Sequence, residues 1–270
     1  MTADFPYAAA CTGIVPLRAE ASDASEMVSQ LLLGESVRIL AEQEDGWTHI
    51  KCDLDAYKGW VNRKELYGLS ESAYLRWKSI SGRSDGYSFR ARSGQDDVVL
   101  VPPGALVHLD GNTIKMPWGR YLPSGQPVSL KGGDPVETAL NLLGTPYLWG
   151  GRTDAGIDCS GFIQLVLLLH GRAVPRDAGQ QFEAAPRYTD EVSKAARGDI
   201  IYFHPGGSSV SHVGFILGEG KIVHASGKVK INRLIRDSRE EKKAPFSEKL
   251  SGCVAGIQRL QDLLNVGKTL

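Results

Sequence analysis

Short stretches in which apolar and polar residues alternate, separated by turn-forming residues, fill the first half of the chain. The first set of stretches lies at 15–19, 25–35, 36–40, 46–52 and 57–61. The second set lies at 88–92, 97–101, 105–109, 118–122 and 127–130, after a connector of helical character at 70–78. Short strands at this spacing predict two small β-barrels in succession.

From residue 134 onward the pattern changes to helical spacing. Asp134 and Pro135 suit the N-cap and first turn of a helix, and the largely apolar run at 162–169 predicts a second, buried helix. Strand-like stretches then follow at 197–203, 211–217 and 221–226. Helices followed by antiparallel strands indicate an α+β fold. The predicted domains are 1–69, 70–131 and 132–270.

Composition and charge narrow the classes of function. The 270 residues include 31 basic and 31 acidic side chains, so the formal net charge of +0 favours neither nucleic acid nor a membrane as a partner. No apolar run has the length of a transmembrane segment, and residues 1–6 lack a signal-like stretch, so a cytoplasmic location is predicted. The four cysteines form no CxxC pair, and we expect free thiols with no metal or cofactor.

Cys159 is the first candidate for chemistry. The glycine-rich stretch 146–158 leads into the apolar run, so Cys159 falls at the start of the predicted helix, where Asp158 can act as a cap. The helix macrodipole and the unpaired N–H groups at such a position favour a thiolate over a thiol. Cys159 is therefore a candidate nucleophile, with a buried structural cysteine as the alternative.

Two histidines downstream complete a catalytic set. His212 begins one strand-like stretch and His224 lies in the next, and the short turn Gly218-Glu219-Gly220 between them predicts a β-hairpin. On a hairpin the two rings can lie side by side on one face. A thiol nucleophile needs a base, and the base needs a third group that fixes its tautomer. Cys159, His212 and His224 satisfy these requirements.

Six sequence motifs make the second half recognisable. In chain order they are PYLWGG, DCSGF, PRDAGQQF, RGDIIYF, SHVGFILG and IVHAS. Over about 134–260 this order resembles the NlpC/P60 family of cysteine peptidases, which are cell-wall hydrolases with a papain-like core. The resemblance implies that Cys159 is the nucleophile, His212 the base and His224 the third residue. It also implies that Tyr147 lies near the oxyanion, with the Cys159 N–H as a donor, and that Asp158 and Ser160 contact substrate.

The first segment, with its two Gly-Trp steps at Trp47 and Trp60, resembles a bacterial SH3 domain. Two SH3-like domains before a peptidase are typical of γ-D-glutamyl-L-diamino acid endopeptidases. The implied substrate is a free peptidoglycan stem peptide, L-Ala-γ-D-Glu-diamino acid, and the implied role is cell-wall recycling. The first domain would help bind the substrate's ammonium group, and the candidate residues are Glu35 and Tyr57, with Glu26, Asp53 and Asp55 as competitors.

One position departs from the family pattern, and two other functions stay open. Relatives often carry serine where this chain has Ala178, so one side-chain contact to the glutamyl part of the substrate would be lost here. A first alternative is an inactive core that binds wall peptide or a protein partner. A second is a metal-dependent hydrolase, since Cys159, His212 and His224 would suit a catalytic zinc ion with one open position.

Overall fold

The computed structural model of the chain describes residues 5–94, 97–236, 244–266 and 268–269. Residues 1–4, on which part of the predicted location rests, lie outside this description. The chain divides into two units, Met1–Leu130 and Lys131–Leu270. Across the described ranges, no helix is both long enough and apolar enough to cross a bilayer.

Unit 1 opens with a seven-stranded antiparallel sheet. Its strands are β1 (Tyr7–Ala10), β2 (Ile14–Arg18), β3 (Met27–Leu32), β4 (Ser36–Glu42), β5 (Trp47–Cys52), β6 (Lys58–Asn62) and β7 (Leu66–Leu69), with a 3₁₀ turn at Arg63–Glu65. The strand order is β3-β2-β6-β5-β4-β1-β7. The predicted alternation is visible in β2, where Val15 and Leu17 are buried and their neighbours are only partly so, which places one face of the strand in the core.

A helix and a second sheet complete unit 1. Helix α1 (Glu71–Ile80) begins at Ser70, whose hydroxyl caps it, and covers the connector that was predicted to be helical. The second sheet contains β8 (Gly82–Arg83), β9 (Phe89–Arg92), β10 (Val98–Val101), β11 (Leu106–Asp110), β12 (Thr113–Met116) and β13 (Gly119–Pro123). Its order is β10-β9-β13-β12-β11-β8. The indole of Trp77 donates to the carbonyl of Gly34 at 2.8 Å and so ties the helix to the first sheet.

Unit 2 places helices before a five-stranded antiparallel sheet. Its elements are α2 (Pro135–Asn141), β14 (Arg152–Thr153), β15 (Gly156–Ile157), α3 (Cys159–Leu169), β16 (Arg172–Ala173), α4 (Ala178–Ala184), β17 (Ile200–Phe203), β18 (His212–Gly218), β19 (Lys221–Ser226), β20 (Lys228–Arg233), α5 (Glu248–Ser251), β21 (Val254–Gln258), α6 (Leu260–Val266) and β22 (Lys268–Thr269). The order in the main sheet is β20-β19-β18-β17-β21. The predicted α+β class is confirmed.

Helix α3 is the core of unit 2, because all eleven of its residues are buried. It packs against β18, where the rings of Phe162 and Phe215 meet edge to face with centroids 5.8 Å apart. A helix buried on every side loses the freedom to shift along or rotate about its axis. Its first residue, Cys159, is therefore held in a fixed position relative to the sheet.

Candidate active site

The start of helix α3 is held by a buried group of polar contacts around Asp158. One carboxylate oxygen accepts from the N–H of Gly161 at 2.7 Å, which caps the helix, and the other accepts from the N–H of Gly150 at 2.9 Å. The guanidinium of Arg176 donates to both oxygens, at 3.1 and 2.5 Å. Arg176 is 1% exposed, and it also donates to the Ser160 hydroxyl at 2.9 Å. We call Asp158, Ser160 and Arg176 the carboxylate cluster.

Asp158 and Ser160, which were predicted to contact substrate, are already engaged in hydrogen bonds within the carboxylate cluster. The Ser160 hydroxyl donates to Asp158 at 3.2 Å, so five donors converge on the two carboxylate oxygens. A carboxylate offers about four lone-pair directions, so little capacity is left for a substrate group. The side chains of Asp158 and Ser160 therefore position the nucleophile's helix, and their contact with substrate stays a prediction.

His212 and His224 form a second polar group on the sheet. His212 begins β18 and His224 lies on the adjacent β19. Nε2 of His212 lies 2.7 Å from Nδ1 of His224, and the ring planes are nearly perpendicular at 85°. Nε2 of His224 lies 2.9 Å from Oδ1 of Asn232 on β20. We call His212, His224 and Asn232 the imidazole chain.

The thiol of Cys159 meets the sheet where the imidazole chain begins. Its sulfur donates to the carbonyl of Ser211 at 3.8 Å and also has a backbone hydrogen bond with Val213. These two residues flank His212 in sequence. The fold thus brings the predicted nucleophile to the strand position that carries the predicted base.

Burial sets the resting charge of both groups. It raises the pKa of the Cys159 thiol to about 12, with the Asp158 carboxylate adding to the rise and Arg176 opposing it. It lowers the pKa of His212 to about 3. Burial therefore opposes the expectation of a resting thiolate. Helix-terminus effects contribute about 0.3–2 kcal/mol, whereas burial can shift a pKa by about 3–5 units, or roughly 4–7 kcal/mol.

Tyr147 and Ala178 border the same region. The pKa of Tyr147 is raised to about 12, chiefly by burial and in part by the Asp158 carboxylate, so the phenol stays protonated and can donate. Ala178 is 6% exposed and begins α4. Gln181, in the next turn of that helix, donates to the carbonyl of Ser160 at 3.1 Å. Helix α4 therefore starts beside the nucleophile, and the methyl group of Ala178 offers no hydrogen bond.

The two residues proposed from the first segment differ in environment. The carboxylate of Glu35 is 4% exposed, accepts from Arg83 at 2.8 Å and accepts from the N–H of Leu32 at 3.1 Å. Tyr57 is partly buried and packs against the core of the first sheet. Of the competitors, Asp53 accepts from the hydroxyl of Ser36 and Asp55 from the N–H of Tyr57. Glu35 already has a cationic partner, so an amine-binding role for it stays a prediction.

Arg176 and Asn232 are the residues that sequence reasoning missed. Arg176 stands in the PRDAGQQF motif, but its burial and its contact with a carboxylate 18 positions earlier depend on the fold. Asn232 lies on β20, a strand that the sequence analysis did not predict. Among the described residues, no group of three or more His, Cys, Asp and Glu side chains is arranged to hold a metal ion.

The fold and the site together define a class of protein. A cysteine at the start of a buried helix, packed against a sheet that carries an imidazole base, is the arrangement of papain-like thiol hydrolases. The family model described as NlpC/P60 family matches residues 144–245, and the model described as bacterial dipeptidyl-peptidase SH3 domain matches residues 17–66. The chain carries an NlpC/P60 cysteine peptidase domain and a bacterial SH3 domain.

Similar proteins cover most of the chain. A γ-D-glutamyl-L-lysine dipeptidyl-peptidase of Bacillus subtilis is 29% identical, across 73% of this chain and 71% of that protein. Dipeptidyl-peptidase 6 of Lysinibacillus sphaericus is 27% identical, across 81% of this chain and 88% of that protein. The crystal structure of an NlpC/P60 family protein from Bacillus cereus matches 94% of this chain and 99% of that chain, with a TM-score of 0.73 and 19% identity. The structural match supports the fold alone.

Proposed function

We propose that this protein is a cysteine endopeptidase that hydrolyses the bond between γ-D-glutamate and a diamino acid in peptidoglycan stem peptides. The observation that carries the proposal is the convergence of Cys159 on the start of β18, beside His212, in a chain whose relatives bear that activity in their names. His224 is the third catalytic residue in this proposal, because its ring nitrogen lies 2.7 Å from that of His212.

The neutral resting pair suggests how the reaction starts. His212 takes the proton from the Cys159 thiol as the sulfur attacks the γ-carbonyl carbon, so the thiolate forms only together with the imidazolium. The oxyanion that results is placed to accept hydrogen bonds from the N–H of Cys159 and the O–H of Tyr147. The imidazolium then gives its proton to the departing amine. A thioester and a free diamino acid result.

The second half of the reaction uses the same base. His212 takes a proton from water as the water oxygen attacks the thioester carbonyl, and the proton returns to the sulfur as the C–S bond breaks. The released dipeptide ends in the γ-carboxylate of D-glutamate. The first turn of α3 and the start of α4 would line the glutamyl part, where Asp158, Ser160 and Ala178 lie, with the methyl group of Ala178 supplying apolar contact only.

We further propose that the substrate is a free peptide with an N-terminal L-alanine. Two observations support this: the relatives named dipeptidyl-peptidases, and the match of residues 17–66 to a dipeptidyl-peptidase SH3 domain. A dipeptidyl-peptidase releases two residues from a free N-terminus. Tyr57 and Glu35 are the proposed contacts to the ammonium group, and at Glu35 that group would have to compete with the guanidinium of Arg83.

The division of labour among three segments is part of the same proposal. Residues 1–69 would contact the substrate's N-terminus, 70–131 would support the first segment, and 132–270 would carry out catalysis. A free-peptide specificity suits the recycling of wall fragments in the cytoplasm rather than the cutting of intact wall. Cell fractionation with an antibody to the chain would test that location.

The test compares peptides that differ only at the N-terminus. L-Ala-γ-D-Glu-L-Lys and its meso-diaminopimelate counterpart should be cleaved at the γ-bond, and their N-acetylated forms should not. Cys159→Ala should abolish cleavage, whereas Cys253→Ala, a change at a cysteine outside the site, should not.

Three outcomes would decide against parts of the proposal. Equal cleavage of free and acetylated peptides would remove the recycling role but keep the peptidase. Tight binding of peptide by the wild-type protein without cleavage would instead support the binding-module alternative. Activity that survives both Cys159→Ala and thiol alkylation but disappears in chelator would support the metal-dependent alternative.

A further inference from the structure

We infer that Asn232 is a positioning residue that acts through His224 to leave Nδ1 of His212 as the nitrogen that takes the thiol proton. The inference rests on the proposed catalytic roles of Cys159, His212 and His224 and extends them by one residue on a third strand. It depends on the direction of each hydrogen bond in the imidazole chain. That direction can be derived from one fixed acceptor at the end of the chain.

The fixed acceptor is the backbone carbonyl of Pro245. It accepts from the side-chain Nδ2 of Asn232 at 2.8 Å and from the N–H of Arg233 at 2.9 Å. A carbonyl oxygen cannot donate, so the amide of Asn232 must present its NH₂ group to Pro245. The amide oxygen of Asn232 then has only one way to point, which is toward His224. The orientation of the Asn232 amide is therefore fixed by its hydrogen-bond partners.

The amide oxygen of Asn232 in turn fixes the tautomer of His224. Oδ1 of Asn232 lies 2.9 Å from Nε2 of His224, so this nitrogen must carry the proton and donate. Burial lowers the pKa of His224, and Lys230 lowers it further, so the ring is neutral and has a single N–H. Nδ1 of His224 is therefore a lone-pair acceptor.

The same step repeats at His212. Nδ1 of His224 lies 2.7 Å from Nε2 of His212, so Nε2 of His212 must be the donor. Burial keeps His212 neutral as well. Its remaining nitrogen, Nδ1, carries a lone pair and no proton. Nδ1 is thus the nitrogen able to receive a proton from the thiol.

The opposite tautomers would inactivate the site. If Nδ1 of His224 were protonated, it would donate to Nε2 of His212, and Nδ1 of His212 would then carry a proton and could not act as a base. When His212 becomes an imidazolium, it keeps its hydrogen bond to His224, which in turn donates to the amide oxygen of Asn232. The positive charge is therefore stabilised by neutral acceptors, without a carboxylate. The charged groups that act on His212 are Lys230 on β20 and Lys249 on α5, and both disfavour the imidazolium. Neither lysine could therefore replace Asn232 in setting the direction of the hydrogen bonds along the imidazole chain.

The direct test is a measurement of tautomers in the wild-type protein. Nitrogen-15 NMR of labelled histidines at neutral pH, assigned with His212→Gln and His224→Gln, should show both rings as the neutral Nε2–H form. A protonated Nδ1 on either neutral ring would overturn the inference. This measurement needs no substrate, so it remains informative even if the proposed substrate is wrong.

Two variants test the consequence for rate. Asn232→Leu keeps the approximate volume but removes the acceptor, so kcat should fall by roughly tenfold or more with KM nearly unchanged, and the Nδ1–H form of His224 should become populated. Asn232→Asp keeps an acceptor and adds a negative charge, which should move the acid limb of kcat/KM to higher pH. Asn265→Leu, the same change on an exposed part of α6, is the matched control and should keep wild-type kinetics.

A structural role for Asn232 predicts a different result. Asn232→Leu and Asn232→Asp would then lower the melting temperature and the activity together, with wild-type tautomers and an unshifted pH profile in the folded fraction, and the inference would fail. If Asn232→Leu does not fold, the inference is tested by the histidine tautomers of the wild type and by the pH dependence of kcat/KM in Asn232→Asp. If the wild type cleaves none of the stem peptides, the proposed function fails, and the tautomer result is judged separately.

Discussion

The carboxylate cluster at the start of α3 and the imidazole chain on the sheet both belong to the site around Cys159, and they differ in the charge that they carry when buried. Asp158 and Arg176 are full charges, 6% and 1% exposed, and each neutralises the other across two short contacts. His212 and His224 are neutral, and burial is the first cause of their lowered pKa values. The carboxylate cluster is held together by an ion pair, whereas the imidazole chain is uncharged until His212 accepts a proton.

The difference follows from what each group does. A pair of opposite charges in a dry site is rigid, because separating them leaves an unpaired charge that costs several kcal/mol. That rigidity suits a cluster that holds the first turn of α3 in place. A base must gain and lose a proton in every turnover. A neutral chain whose hydrogen bonds all point one way suits that task better than a buried ion pair does, because the base is left with an unprotonated nitrogen. The two groups should therefore respond differently to substitution.

Removal of the base should have the largest effect. His212→Gln deletes the proton acceptor, so kcat/KM should fall by about 10³–10⁴, the upper range for general acid–base catalysis. The free energy of unfolding should change by less than about 1 kcal/mol, because no buried charge loses its partner. Steady-state kinetics and urea unfolding on the same preparation measure both quantities. A variant that loses stability and activity in proportion would show that His212 is a structural residue.

Removal of Arg176 should have the opposite effect, with a large loss of stability and a smaller loss of activity. Arg176→Met leaves the Asp158 carboxylate buried with only neutral donors, so unit 2 should lose about 3–5 kcal/mol of stability. Activity at low temperature should survive in the folded fraction, because the Asp158 carboxylate still accepts from the N–H of Gly161 and caps the helix. Urea unfolding followed by tryptophan fluorescence measures the loss.

Two controls sharpen the Arg176 prediction. Arg197→Met breaks the pair of Arg197 with Asp134, which is 46% and 43% exposed, and should cost less than about 1 kcal/mol. Asp158→Asn combined with Arg176→Met removes both charges and should recover part of the loss, since a buried pair can be replaced at little net cost. If the double variant were no more stable than Arg176→Met alone, the loss would come from packing rather than from an unpaired charge.

The sequence was most informative where signals are local. The start of α3 followed from the cap at Asp158 and the apolar run, and the histidine hairpin followed from its short turn, so the first three site residues could be proposed together. Arg176 and Asn232 could not, because their partners are fixed by tertiary packing. The effect of burial on the pKa of the Cys159 thiol could not be foreseen either, because the degree of burial is not visible in a motif.

The first unit contains an ion pair that is less completely buried than the Asp158–Arg176 pair. Arg83 and Glu35 form an ion pair at 2.8 Å, with side-chain exposures of 17% and 4%. Arg83→Met should therefore destabilise unit 1 by about 2–3 kcal/mol, somewhat less than the fully buried pair, because one partner reaches solvent. Thermal unfolding of the whole chain measures the shift. Arg63→Met, at an ion pair with Glu42 that is 35% and 26% exposed, is the control and should shift it by less than about 1 kcal/mol.

The neutrality of the imidazole chain should also appear as a small dependence of stability on pH. Unfolded His212 titrates near its ordinary value of 6.5, whereas in the folded protein its pKa is about 3. Below pH 6.5 the unfolded chain therefore binds a proton that the folded chain does not, so stability falls as the pH drops toward 3. Between pH 7 and 5.5 the loss from this group should be about 1 kcal/mol, and His224 adds to it in the same direction. The slope of the unfolding free energy against pH should be shallower in His212→Gln than in the wild type, and identical slopes in the two proteins would mean that the folded site accepts the proton as readily as the unfolded chain does.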